Sequence, residues 1–129
     1  MPTILMTGAA GLIGTMLRTR LAQPGRTLRL LDVAPMTAGP GEEAIQASVT
    51  DLEAMTAACQ GADAVIHLGG YSGEEEWGAI LEVNINGGYV AFEAARRAGP
   101  AGSGAWSRSG RPRPSSGSSA PVLLVVRRP

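Results

Sequence analysis

The chain of 129 residues contains no lysine; all eleven of its basic residues are arginine. That absence alone excludes a P-loop nucleotidase, in which a glycine turn delivers a lysine to the phosphates. Cysteine occurs once, as Cys59, so there is no disulfide framework and no cysteine-rich metal site, and Cys59 reads as a small core residue. Aromatic residues make up 4% of the chain, so a core must be built from aliphatic side chains and alanine. No apolar run approaches the roughly 20 residues that cross a bilayer, which argues against a membrane partner. The N-terminus has no basic region ahead of its apolar run and reaches glycine at position 8, unlike a signal peptide, so a cytoplasmic location is expected. Net charge is also missing: eleven arginines balance eleven acids. This argues against whole-surface attraction to nucleic acid or anionic lipid.

The neutral total hides two unlike segments. The first hundred residues hold all eleven acids and six arginines, a formal charge of −5, whereas the last 29 hold five arginines and no acid. The same division appears in the pattern of apolar residues. Thr3 to Thr7 is a short apolar run that stops at Gly8, as expected of a buried parallel strand. Leu12, Ile13, Met16, Leu17 and Leu21 recur at helical spacing and end at Pro24-Gly25. A second strand is expected at 27–32, a weaker third at 44–49, and a short helix after an N-cap at Thr50 or Asp51, closed by Gly61. A strand at 62–68 and a long helix over 76–97 follow. Glu74 to Glu76 stand at the positive end of that helix, where helix-start electrostatics explains them better than a metal site does, and Arg96 and Arg97 stand at its negative end. Ile80, Leu81, Ile85, Val90 and Phe92 are its expected apolar contacts, and close packing is the expected reason for Gly87 and Gly88.

This order is an α/β pattern, a partial Rossmann-type doubly wound parallel sheet of about four strands over residues 1–100. Residues 101–129 carry seven serines, five arginines, four glycines and four prolines without periodicity. They read as a low-complexity, disordered tail, in which Val122–Val126 is at most a stray strand and Arg111-Pro112-Arg113-Pro114 is compositional.

The chief chemical signal is Thr7-Gly8-Ala9-Ala10-Gly11-Leu12-Ile13-Gly14, between the first strand and the first helix. A pyrophosphate needs backbone N–H groups at a helix N-terminus and no side chain in its way. Gly8 suits the tight turn, Gly11 the approach of phosphate, and Gly14 the packing of helix on strand; Leu12 and Ile13 supply N–H groups between them. Asp32 follows Gly14 by 18 residues at the end of the second strand. A carboxylate there binds ribose hydroxyls and repels a 2′-phosphate, favouring NAD over NADP; a solvated strand-end acid is the plainer alternative.

Thr7 to Gly14 resembles the cofactor turn of extended short-chain dehydrogenases/reductases, the NAD-dependent epimerase/dehydratase family. The likeness continues through Asp51-Leu52, Ala64 to Gly70, and Asn84-Ile85-Asn86-Gly87 into Glu93-Ala94-Ala95-Arg96, covering about residues 3–99. It implies that Asp51 and Leu52 lie against adenine, and that Leu68, Gly69 and Gly70 pass the ribose and nicotinamide. His67-Leu68-Gly69-Gly70-Tyr71-Ser72, with Trp77 and Asn84-Ile85, is similar to uronate dehydrogenases, which oxidise the anomeric carbon of a hexuronic acid with NAD. That likeness makes Ser72 a substrate contact; a loop serine capping the next helix is the other reading. It makes His67 structural and gives Asn84 a supporting role at the active site, against a solvent-facing asparagine. It also implies pairing of two copies through the 76–97 helix.

The family's proton transfer uses a tyrosine with a lysine four residues on. A free tyrosine has a pKa of about 10 and is a poor base at neutral pH, so the neighbouring cation is a physical requirement. Tyr71 is followed at that spacing by Glu75 and Tyr89 by Glu93, which act in the wrong direction. The Ser115-Ser116 pair has no strand before it. The expectation is therefore the NAD-binding part of a sugar or uronate oxidoreductase without a catalytic residue of its own, from a truncated or frame-shifted copy of a longer enzyme. A sugar-nucleotide epimerase or dehydratase, a non-catalytic NAD-binding module and a non-functional remnant are the alternatives.

Overall fold

An apolar run bounded by Gly8 becomes the central strand β1 (Thr3–Thr7) in the computed structural model, which describes residues 2–70 and 74–98 and the backbone of Val122–Val125. Strand β2 (Thr27–Asp32) pairs parallel on one side of β1, and β4 (Ala64–His67) pairs parallel on the other. Outside β2 lies β3 (Glu42–Gln46), again parallel. The four-strand parallel sheet expected of a Rossmann-type fold is thus present. Helix α1 (Leu12–Leu21) joins β1 to β2, and α2 (Leu52–Cys59) joins β3 to β4.

Successive strand residues face opposite sides of the sheet, so a strand covered on both faces is apolar throughout. Leu5, Leu31 and Val65 enter one core with Met55, Ala58 and Cys59 of α2. Met6, Leu28, Leu30 and Ile66 enter the other, against Leu17 and Leu21 of α1. Arg29 brings a charge to the α2 side. Its Nη1 donates to the carbonyls of Ala58 (2.6 Å) and Gln60 (2.8 Å) at the end of α2. A cation there offsets the negative end of the helix dipole.

After β4 the chain forms α3 (Trp77–Ile80), a π-helical segment over Leu81–Asn86, and α4 (Gly87–Ala98). The long helix expected over 76–97 is there, and its expected apolar contacts hold in part: Val90 is buried in the core and Phe92 packs against it, whereas Leu81 and Ile85 are exposed. Val83, Ala91, Ala94 and Ala95 supply the remaining core contacts. Small side chains let α4 lie close to α2, and the π segment turns Leu81 and Ile85 outward. Gly87 has a packing reason, because a Cβ there would lie 3.0 Å from Val49 Cγ2; Gly88 has none, with nothing within 4 Å.

Two further expectations change. The third strand covers Glu42–Gln46 rather than 44–49 and takes in two glutamates whose carboxylates are paired. Glu42 takes a two-pronged bond from Arg18 of α1 (2.8 and 2.6 Å), and Glu43 pairs with Arg29 (2.8 Å). The run at 122–126, read as at most a stray strand, supplies a fifth strand along the edge of β4, β5 (Val122–Val125), whose backbone pairs parallel from Ala64↔Val122 to His67↔Val125. The open ladder of N–H and C=O groups along β4 is what such a run can satisfy. The rest of the 101–129 segment, including Arg111 to Pro114 and Ser115-Ser116, lies outside the described residues.

Candidate functional site

In the strand order β3-β2-β1-β4-β5, the chain steps outward from β1 through β2 to β3, then crosses back to place β4 on the other side of β1. The loops at the carboxyl ends of β1 and β4 therefore part there and leave a crevice, the usual ligand position in open α/β sheets. A cleft of about 250 Å³ occupies this place, lined by Gly8, Gly11, Asp32, Leu68, Gly69 and Gly70, all six singled out from the sequence. Ala47, Ser48, Val49, Val33 and Val83 complete the wall.

The turn is built around absent side chains. Gly8 has φ +67°, and a Cβ on it would lie 2.7–2.8 Å from the backbone of Leu68 and Gly69. A Cβ on Gly14 would lie 2.6 Å from the carbonyl oxygens of Gly8 and Ala9. Gly14 thus packs on the turn itself. Gly11 meets only Gly8 O, at 3.3 Å, and is otherwise open. It is the N-cap of α1 and has no side chain to cap with, so the first-turn N–H groups at Leu12 and Ile13 have no side-chain cap.

Thr7 closes β1 beneath the turn, fully buried. Its Oγ1 accepts the N–H groups of Leu68 and Gly69, each at 3.2 Å, and lies 2.7 Å from His67 Nδ1. The Leu68 N–H is shared with the Thr7 carbonyl oxygen, at 3.1 Å. The buried His67 thus helps to hold the Leu68–Gly70 strip in place. On the far wall, Asp32 Oδ2 accepts from Ala10 N–H and Oδ1 from Ala34 N–H, each at 3.0 Å. Each oxygen keeps a lone pair for a ligand hydroxyl. Behind Asp32, the Arg18 guanidinium donates to Thr37 O and to Glu42, and Glu42 accepts Gly39 N–H at 2.7 Å. The Arg18 hydrogen bonds hold the Glu42 carboxyl below the usual carboxylate range. These bonds tie the loop after β2 to α1.

Asp51 and Leu52 stand outside the cleft wall. Asp51 Oδ1 accepts Ala54 N–H at 3.0 Å as the N-cap of α2, and Leu52 packs against the core. The positions before them, Ser48 and Val49, reach the cleft instead. Asn84 approaches the site, with Oδ1 2.8 Å from where a Cβ on Gly70 would be. Ser72 and Tyr71 lie outside the described residues. Among the described residues, no cluster of histidine, cysteine, aspartate or glutamate is placed to hold a metal, and no helix is long and apolar enough to cross a membrane.

A parallel sheet covered on both faces, with a glycine turn opening a cleft where the strand order reverses, defines a dinucleotide-binding Rossmann-type unit. The chain belongs to the NAD dependent epimerase/dehydratase family, whose sequence profile matches residues 4–120. A uronate dehydrogenase from Pseudomonas putida is 45% identical over 98 residues, covering 74% of this chain and 37% of that protein. One from Agrobacterium fabrum is 45% identical over 100 residues, covering 77% of this chain and 38% of its own length. The crystal structure of a uronate dehydrogenase mutant from Agrobacterium tumefaciens, complexed with NAD, superposes with a TM-score of 0.70 at 45% identity, covering 74% of this chain and 36% of that one. The chain thus spans little more than a third of the length of these relatives.

Proposed function

We propose that these residues form the NAD-binding unit of a dehydrogenase acting on uronic acids. The observation that carries this reading is convergence: Gly8, Gly11, Asp32 and Leu68 to Gly70, distant in sequence, line one cleft at the carboxyl ends of β1 and β4. The residues fit the cofactor, since Gly11 leaves the turn open where phosphate must approach and Asp32 stands in the same cleft wall. The pyrophosphate rests on the Gly11 turn and the N–H groups of Leu12 and Ile13, with Gly14 keeping that helix end close. Asp32 takes the adenosine ribose hydroxyls. The apolar side chains of Val33, Ala47 and Val49 form the slot for adenine, beside Ser48, with Asp51 and Leu52 behind it. Leu68, Gly69 and Gly70 run beside the nicotinamide end, and Ser72 is the substrate contact that the resemblance implies. When bound, the nicotinamide supplies hydride transfer; the residues of this chain bind and orient it.

Proton transfer is not provided in these 129 residues, because no lysine follows a tyrosine. Calorimetric titration of the full chain should show saturable NAD⁺ binding, with NADP⁺ weaker by about tenfold or more through repulsion at Asp32. Asp32→Ala should narrow that difference. A folded chain that binds neither nucleotide would sink the reading, and robust NADH formation from galacturonate or glucuronate would overturn the absence of proton transfer.

Self-association through the long helix belongs to the same proposal. Trp77, Leu81, Ile85 and Tyr89 are exposed at four-residue intervals. Bonding to the fifth residue widens the turn beyond the usual about 3.6 residues, so this spacing runs nearly along the axis and makes an apolar stripe. Such stripes mark contact surfaces. Sedimentation should show a dimer that Leu81→Arg converts to monomer; a monomer at high concentration before substitution counts against it.

A further inference from the structure

Val49 is the point at which three walls of the cleft meet. It is 7% exposed, at the end of the segment that follows β3, and it lines the cleft together with Gly69 and Val83. A Cβ on Gly69 would lie 2.5 Å from Val49 Cγ1, and a Cβ on Gly87 would lie 3.0 Å from Val49 Cγ2. Each methyl group thus occupies the space that a side chain on one glycine would need. A β-branched side chain has little freedom about χ1, so moving one methyl away drives the other against the opposite glycine. The Gly69 slot has no slack elsewhere, because the same added Cβ would lie 3.3 Å from Thr7 Oγ1 and 3.5 Å from His67 Cε1.

We propose that Val49 is a positioning residue of the cofactor cleft, a wedge between Gly69 and Gly87 that sets the distance between the Ala47–Val49 wall and the Leu68–Gly70 wall. This rests on the NAD-binding reading and adds a size rule to it: positions 49, 69 and 87 tolerate enlargement only in exchange for reduction. The rule links the wall assigned to adenine, the strip assigned to the nicotinamide end, and the first residue after the π-helical segment. Gly88, with nothing within 4 Å, lies outside it and serves as the control.

The test is NAD⁺ affinity of the full chain by calorimetry, with thermal melts of every variant. Gly69→Ala should weaken binding about tenfold, and Val49→Ala about fivefold through a loosened wall. The double variant, in which one methyl returns from the opposite side, should bind within about threefold of the unaltered chain. Gly88→Ala should leave affinity unchanged. If Gly69→Ala does not fold, recovery of both folding and binding in the double variant supports the wedge equally. Unchanged affinity in Val49→Ala with only a lower melting temperature reduces Val49 to core packing and overturns the proposal, as does a double variant that folds but binds no better than Gly69→Ala. An unaltered, folded chain that binds no NAD⁺ removes the cofactor reading and the wedge together; one that binds while the variants are indifferent removes the wedge alone.

Discussion

A methyl group at Gly14 would meet two carbonyl oxygens of its own turn at 2.6 Å, while one at Gly88 would meet only open space. Gly14→Ala should therefore destabilise the chain by about 1–3 kcal/mol through overpacking. Gly88→Ala should stabilise it by about 0.5–1 kcal/mol, since alanine loses less backbone freedom in a helix. Urea melts read both, and a destabilising Gly88→Ala would show a contact that the fold does not have. In the sequence the two positions were alike, each a glycine given a packing reason. The fingerprint spacing made Gly8, Gly11, Asp32 and Leu68 to Gly70 legible as cleft residues. Ala47, Ser48, Val49 and Val83 were not, because small and aliphatic side chains carry no chemical signature and only the fold brings them to the crevice.

Between elements, arginines do the joining. Arg29 on β2 donates to two carbonyls at the end of α2, whereas its ion pair with Glu43 has a half-exposed partner. Arg29→Met should then cost about 1.5 kcal/mol or more, for bonds from a charged donor. Glu43→Gln should be nearly neutral, as an exposed pair contributes little. Equal losses in chemical denaturation would place the stabilisation in the ion pair instead. Arg18 and Glu42 join α1 to β3, and here acidity is the probe. Hydrogen bonds from Arg18 lower the folded pKa of Glu42 relative to the unfolded carboxylate value of about 4.3. The contribution is present above that value and is lost as pH falls toward the lower folded pKa. Glu42→Gln should flatten the decline in melting temperature as pH falls below the ordinary carboxylate range; an unchanged decline would exclude the pair as its source. On α4, Arg96 and Arg97 hold Glu93 at about 2, but on an exposed surface where water and salt screen the pairs. The ends of β1, α1, β2 and α2 were readable from the chain, because Gly8, Pro24-Gly25 and Asp51 punctuate it. The ends of β3 were not: Glu42 and Glu43 look like a loop until Arg18 and Arg29 are placed beside them. A π-helical segment likewise has no local residue signature.

Over the whole molecule, the alternation of strand and helix was enough to give a doubly wound parallel sheet, because that order admits few arrangements. The apolar run at Val122–Val126 could be read only as a stray strand, since a four-residue strand gains its partner from the open side of β4, which the sequence does not display. Among the described residues, the two faces of the sheet are covered unequally. On one side α2 and α4 bury a broad cluster including Met55, Val90, Ala91, Ala94 and Ala95. On the other, α1 buries Gly14 alone, half-buries Leu17 and Leu21, and leaves Leu12 and Met16 71% and 52% exposed. Sub-global opening should thus begin at α1, whose amides should exchange with solvent deuterium well before those of α4. Because α1 also presents its N-terminus to the phosphates, bound NAD⁺ should slow exchange in its first turns more than anywhere else, by linkage. Uniform protection across both helices, indifferent to NAD⁺, would contradict this. The thin face of the sheet would then be where occupancy is converted into order, with ligand binding completing the folding of the helix that receives it.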